Sequence, residues 1–329
     1  MTALDTIRAS VEPELEAYEN FIERQFTADG ELLSEMLHYA LTSRGKGIRP
    51  LLVILSAALN ASVKGAASGR RTCLGAMLVE MIHVASLIHD DVIDESDTRR
   101  GRASVNARWQ SHKAVILGDY ILARNMAIGL QSGQFDLVNH ICGAMATLCE
   151  GEVEQADCVD KQQMTRRTYL DIIHKKTACL LGVSASAGAL AVSATRDRVA
   201  LMGQFGEALG MAFQIQDDML DFRTDTHTGK PACNDLREGK ITLPLLIVLE
   251  RVDETRRAEL LERLGRCHDD ETSVEYLRAI VANEGGLDEA GRVMQEYIAR
   301  AVGLLSEYED SDYRNALIDL CRFVTERDR

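Results

Sequence analysis

Asp90-Asp91-Val92-Ile93-Asp94 closes one long apolar stretch of this chain, and Asp217-Asp218-Met219-Leu220-Asp221 closes another. On a helix, carboxylates at i, i+1 and i+4 crowd a single turn, because residues four apart share a face. Like charges at that spacing repel, and partial burial raises the cost. One such word is usually a solvated helix end. Two copies, preceded by Leu87-Ile88-His89 and Gln214-Ile215-Gln216, point instead to a divalent cation that neutralises them. An all-oxygen donor set favours a hard cation such as Mg²⁺, which bridges carboxylates to substrate phosphates.

The segments leading into these words read as helix. Leu78, Met81, Ile82, Ala85 and Ile88 keep the three-and-four spacing of one helical face. Similar spacing recurs elsewhere, no run alternates with period two, and the chain has only four prolines. The fold class expected is all-α. Helices are expected near Glu14–Thr27, Glu31–Thr42, Arg49–Asn60, Arg71–Asp91, Ala103–Leu130, Phe135–Asp157, Arg166–Val192, Arg196–Asp221 and Leu243–Glu250, with more toward the end. Glycine-rich or polar breakers separate them. No linker marks a boundary, so residues 1–329 are expected to form one helical domain with both aspartate words facing a shared cavity.

A net charge of −14 over 329 residues argues against nucleic acid or an anionic membrane surface as partner. It leaves room for a phosphorylated substrate held by local cations. The eight cysteines are scattered without a CxxC pair, which suits free thiols in a reducing cytoplasm. The N-terminus lacks the apolar core of a signal peptide. The uncharged stretch 178–195 is rich in Ala, Ser and Gly, and is expected to let helices pack closely rather than to insert in a membrane.

Basic islands accompany the acidic words. Arg44-Gly45-Lys46-Gly47-Ile48-Arg49-Pro50 precedes a helix, Arg99-Arg100-Gly101-Arg102 follows the first word, His174-Lys175-Lys176-Thr177 opens the small-residue helix, and Lys230 and Lys240 flank the loop after the second word. Glycine lets backbone approach an anion. Lysine adds point charge and arginine a bidentate fork for phosphate oxygens. The pattern suits one or two polyphosphate groups bridged by metal.

Glu80 to Arg102 resembles the first aspartate-rich region of the trans-type polyprenyl diphosphate synthases, and Gly210 to Asp221 resembles their second. Thr228 to Pro244 is similar to the loop that follows, and Ala114–Tyr120 and Phe323–Arg327 match as well. The likeness spans roughly residues 40 to 329. It implies an isoprenoid-synthase fold, a helical bundle around a central cavity, usually as a homodimer. It also implies a Mg²⁺-dependent prenyltransferase that condenses an allylic diphosphate with isopentenyl diphosphate. Lys46, Arg49, His83 and Arg100 fall where the family holds isopentenyl diphosphate. Arg99, Lys176, Thr177, Gln214, Lys230 and Lys240 fall where it engages the allylic diphosphate. Asp90, Asp94 and Asp217 match its metal ligands, and Asp91, Asp218 and Asp221 complete the clusters. Two positions depart from the family pattern. The first loop often reads Gly-Gly-Lys-Arg, so one positive charge has moved here, and Cys233 stands where glycine is common.

The mechanism implied is ionisation of the allylic diphosphate at the metal-bearing aspartates Asp90, Asp94 and Asp217, with Lys176, Lys240 and Arg99 stabilising the departing charge. The isopentenyl double bond then attacks. The helix before Asp90 is expected to line the tunnel for the growing tail. Ala85 and Ser86 are small where the family uses aromatic residues to stop elongation early, which implies a product beyond fifteen carbons. Met81, Ile82 and Met126 are candidate floors. The first word and the run after it look most like long-chain members of the octaprenyl type, which make quinone tails; a C20 geranylgeranyl diphosphate synthase is the alternative. Terpene cyclases generally lack the second word and the basic loop. From another class, a di-iron helical-bundle oxidase is suggested by Glu35-x-x-His38 and Glu80-x-x-His83, but it leaves the twin words unexplained.

Overall fold

The computed structural model describes residues 2–42, 45–62, 65–223 and 233–326. The elements in chain order are α1 (Ala3–Ala9), α2 (Glu12–Gln25), α3 (Glu31–Thr42), α4 (Ile48–Asn60), α5 (Arg70–Ile93), β1 (Thr98–Arg99), β2 (Arg102–Ala103), α6 (Val105–Trp109) and α7 (Ser111–Gln131). They continue with α8 (Phe135–Lys161), α9 (Arg166–Ile173), a π-helical turn at His174–Ala178, α10 (Cys179–Ala191), α11 (Arg196–Asp221) and α12 (Asn234–Arg237). The last are α13 (Leu243–Arg251), α14 (Glu254–Leu264), α15 (Glu271–Asn283), α16 (Gly286–Leu305) and α17 (Asp312–Glu326). Among the described residues the antiparallel pair β1–β2 is the only strand structure, so the chain is all-α.

The chain divides into two compact units. The first comprises Met1–Met145, Leu181–Gln204 and Tyr308–Leu320; the second comprises Ala146–Leu180, Phe205–Glu307 and Cys321–Arg329. The first aspartate word lies in the first unit and the second word in the second.

In the first unit α5 is the core helix, packed on α2, α4 and α7. Every residue from Thr72 to Ile82 is buried, as expected of a helix that is apolar all round. By length and composition α5 could cross a membrane, yet 78% of its apolar window is buried inside the protein. The small residues of α10 do what composition suggested. Ser56 Oγ donates to the Ala185 carbonyl at 2.5 Å. A Cβ on Gly188 would stand 2.8 Å from Ser56 Cβ and 3.0 Å from the Ala57 nitrogen, so only glycine lets the two backbones meet. In the second unit, Leu243 to Leu249 of α13 are all buried against α9, α15 and α16.

Several helix ends lie one to four residues from where the sequence puts them, and three larger differences stand out. The stretch Ala103–Leu130 is broken at Gln110, whose φ of 74° ends α6 and restarts the chain as α7. Tertiary anchors fix that break: Trp109 packs edge-on to Tyr39 with centroids 5.1 Å apart, and Arg108 pairs with Glu35 at 2.8 Å. The stretch Arg166–Val192 is interrupted by the π-turn that carries Lys175 to Thr177. Helix α1 was not anticipated, although Thr2 and Asp5 form a reciprocal capping box at its start.

Candidate functional site

In the first unit Asp90, Asp91 and Asp94 stand at the C-terminal end of α5. Their roles divide. Asp91 is only 3% exposed, and Arg99 Nε donates to its Oδ1 at 2.7 Å. Asp90 is half-buried and Asp94 exposed, one turn apart on the same face. The turn after them is a two-residue hairpin in which Thr98 faces Ala103 and Arg99 faces Arg102. Its central residues, Arg100 and Gly101, have φ of 54° and 74°, the left-handed pair such a turn requires. Arg100 thus sits in a conformation that costs a side-chain-bearing residue about 1–2 kcal/mol, and strain of that kind tends to gather at functional sites. The hairpin is pinned by Tyr39, whose hydroxyl donates to the Ala103 carbonyl at 2.7 Å and whose ring carries the Arg102 guanidinium 4.5 Å above it.

Around this hairpin gathers a cationic cluster. The His83 imidazole is held well below its ordinary pKa, first by burial and then by the charges of Arg49, Arg100 and Arg99. The neutral imidazole is therefore the favoured form. Burial and Arg99 lower the pKa of Arg100, while Glu80 and Asp91 oppose that shift. Glu80 is 3% exposed and is a counterion that the sequence reading used only in the oxidase alternative. Gly45 leaves the guanidinium its place here: a Cβ on it would fall 2.7 Å from Arg100 Nη1. Lys46 is exposed and Arg49 half-buried. Arg44 and Lys230, both basic residues of the sequence reading, lie outside the described residues.

The second word ends α11 in the second unit. Asp217 is half-buried. Asp218 is 4% exposed and accepts from the Tyr169 hydroxyl at 2.6 Å and from Gln214 Nε2 at 2.8 Å. Burial pushes its carboxyl up to about 7; the two hydrogen bonds oppose the shift, and the charges of Asp217 and Asp221 add to it. Gln214 Oε1 in turn accepts from Thr177 Oγ1 at 2.7 Å. A continuous chain of hydrogen bonds therefore ties Thr177 and Gln214 to the second word. Asp221 holds α12: its Oδ1 and Oδ2 accept the backbone N–H of Asn234 and Asp235, each at 3.0 Å, and its carbonyl accepts that of Cys233 at 2.7 Å. Cys233 reaches this position with φ of 59°, which explains why glycine suits it. Lys240 Nζ is paired with Glu238. Lys176 Nζ lies 2.7 Å from Glu152 on α8, and Gly151 admits it, since a Cβ there would sit 2.9 Å from Lys176 Cγ.

The donor set fits a hard cation. It is all oxygen, and the outer aspartates Asp90, Asp94 and Asp217 keep accessible surface while Asp91, Asp218 and Asp221 brace the protein. Among the described residues no three His, Cys, Asp or Glu side chains converge as a ready cage. Mg²⁺ has little need of one, since it takes one or two carboxylates and completes its shell with water and substrate phosphate. The same observation gives a di-iron centre no ligand set; Glu35 is paired with Arg108 and His38 is exposed on α3.

The tunnel candidates separate by burial. Ala85 and Met81 have no exposed surface and Ile82 has 3%, whereas Ser86 and Met126 are half-exposed. Leu87, not singled out from the sequence, is half-exposed beside Ser86. Tyr169 was also missed; its one signal is its place seven residues before Lys176, two helical turns away on the same stripe.

Comparison with known proteins agrees over nearly the whole chain. The sequence model of the polyprenyl synthetase family matches residues 30–281. The octaprenyl diphosphate synthase of Haemophilus influenzae is 33% identical over 331 residues, covering 99% of this chain and 98% of that protein. The polyprenyl synthase of Caulobacter crescentus, solved with calcium and isoprenyl diphosphate, superposes with a TM-score of 0.90 at 30% identity, covering 99% of this chain and 98% of that one. The decaprenyl diphosphate synthase of Rhodobacter capsulatus gives a TM-score of 0.90 at 30% identity, with 99% of each chain covered.

Proposed function

This chain belongs to the polyprenyl synthetase family, and we propose on that footing that it is a prenyltransferase extending an allylic diphosphate with isopentenyl diphosphate to a long-chain all-trans polyprenyl diphosphate. The observation that carries the reading is the division of labour within each aspartate word: Asp91 in the first and Asp218 and Asp221 in the second are locked into the protein, while Asp90, Asp94 and Asp217 keep accessible surface.

Asp90, Asp94 and Asp217 are the residues that would hold Mg²⁺. When bound, the metal neutralises charge on the leaving diphosphate. The protein's own groups do the rest. Lys176, Lys240 and Arg99 face the allylic diphosphate and stabilise the charge that develops as its carbon–oxygen bond breaks. Thr177 and Gln214 orient it, fixed by their hydrogen bonds to each other and to Asp218. Lys46, Arg49, Arg100 and the neutral His83 hold isopentenyl diphosphate. Its double bond forms the new carbon–carbon bond, and loss of a proton restores the alkene.

The working form in this reading is a cytoplasmic homodimer whose product serves as a quinone side chain. The apolar face of α7 supports the second copy: Val115, Ile116 and Leu130 are 39%, 62% and 53% exposed, and Phe135 at the start of α8 is 63% exposed. Covering them would remove large exposed apolar side chains from water. Eight free cysteines fit the cytoplasm.

The test is incubation with labelled isopentenyl diphosphate, farnesyl diphosphate and Mg²⁺, followed by dephosphorylation and sizing of the products. A ladder ending beyond twenty carbons is the expected result. A single C20 product keeps the chemistry but denies the long chain. Absence of metal-dependent elongation overturns the reading.

A further inference from the structure

We propose that Lys175 is a positioning residue for the allylic-diphosphate site: its ion pairs hold the π-helical turn whose extra residue brings Thr177 onto the face of Tyr169. This deepens the prenyltransferase reading and rests on it. Register decides which side chain reaches the second aspartate word. Tyr169 donates to Asp218, and Thr177 donates to Gln214, which itself donates to Asp218. In an uninterrupted α-helix each residue turns about 100°. Lys176, seven residues after Tyr169, would then stand about 20° from its stripe, and Thr177, eight after, about 80° away. The π-turn at His174–Ala178 inserts one residue. Thr177 thereby takes the place that Lys176 would hold, and Lys176 turns instead to Glu152 and Gln155 on α8. Both side chains owe their partners to the turn.

A π-turn is rare and gathers at functional sites, so something must favour it here over plain α-helix. Two devices do so. Lys175 Nζ bridges two carboxylates, Asp171 on α9 before the turn and Glu154 on α8, each at 2.7 Å. That bridge ties the turn to both helices. Gly151 on α8 is its seat: a Cβ there would fall 2.7 Å from Lys175 Cβ and 3.2 Å from the Lys176 backbone nitrogen. No side-chain rotation could move either atom away. His174 adds a longer pairing with Glu207 at 3.8 Å. In the sequence Lys175 is one more basic residue of an island suited to phosphate. In the structure its charge is matched by two carboxylates, so it serves the turn, and its neighbours Lys176 and Thr177 serve the diphosphate. Half-exposed ion pairs add little to global stability, which lets register be tested apart from folding.

Steady-state kinetics and thermal melts on the full-length protein make that test, with kcat and KM measured for each substrate. The variants are Lys175→Met, which keeps the apolar stem and removes the charge, Lys175→Arg, Thr177→Val, and the double variant of Lys175→Met with Thr177→Val. Lys175→Met is expected to lower kcat/KM for the allylic diphosphate about tenfold, the size of one misplaced hydrogen bond to a charged group. KM for isopentenyl diphosphate should stay within about twofold, and the melting temperature within about 2 °C. Lys175→Arg should recover most of the loss, since a guanidinium also bridges carboxylates. The double variant should fall no more than about twofold below the weaker single variant, because both changes act through one side chain. Single effects that multiply in the double variant overturn the proposal. So does equal weakening of both substrates with a lowered melting temperature, the mark of plain support. Full allylic activity in Lys175→Met overturns this role alone, whereas wild-type protein that does not elongate overturns the prenyltransferase reading and this role with it.

Discussion

Replacing Ser86 with phenylalanine should shorten the product. Ser86 precedes Asp90 by four residues, shares its helical face and is half-exposed. At 1.5 Å per residue the two lie about 6 Å apart along the axis of α5, close to the length of one prenyl unit. An aromatic ring there closes the path roughly one unit below the metal-bearing carboxylates, so the expected end point falls from a long chain to fifteen or twenty carbons. The neighbouring Ala85 behaves differently, although the sequence favoured it equally. It has no exposed surface, so Ala85→Phe forces a ring into packed core at a cost of about 1–3 kcal/mol or more. At about 2–4 °C per kcal/mol for a larger domain, that is a drop of several degrees in melting temperature. The assay pairs product sizing by mass spectrometry with thermal melts of both variants. A wild-type ladder from Ser86→Phe, together with shortened products from a normally stable Ala85→Phe, would refute the assignment of the open face of α5.

Other consequences can be checked separately. Gly188→Ala drives a methyl into the backbone of α4 and should destabilise the protein by about 3 kcal/mol, read as a lower urea midpoint. Tyr169→Phe removes the 2.6 Å hydrogen bond to buried Asp218; a loss of about 1–3 kcal/mol is expected, together with a higher Mg²⁺ concentration for half-maximal rate. Chelation with EDTA should abolish elongation, and Asp217→Asn should lower it at least a hundredfold with little change in melting temperature, because that carboxylate is half-exposed. The depressed pKa of His83 makes its contribution to stability full above its unfolded value, near 6.5, and lost as pH falls below it. Melts between pH 7.5 and 5.5 should therefore show a weaker pH dependence in His83→Asn than in wild type.

Much of the site could be read in sequence because it is written locally. Helices α3 and α11 begin and end where apolar spacing and breakers placed them, and each aspartate word marks one helical turn whatever surrounds it. The twin words, the basic loops and the family likeness they carry all survive as short strings. What needed the tertiary structure is the fate of each residue within those strings. Asp90 and Asp91 are adjacent in the chain, yet Arg99 claims Asp91 from the returning hairpin and leaves Asp90 accessible. Asp218 and Asp221 are spent on Tyr169 and on the start of α12. Gly45 looked like freedom for a phosphate loop, and in fact leaves room for the Arg100 guanidinium. Gln110 breaks a good helical run because Trp109 and Arg108 are held by α3. Periodicity reports which face of a helix is apolar, since that depends on neighbours one turn away. Burial, charge compensation and close approach depend on partners tens of residues distant, and only folding brings those partners together.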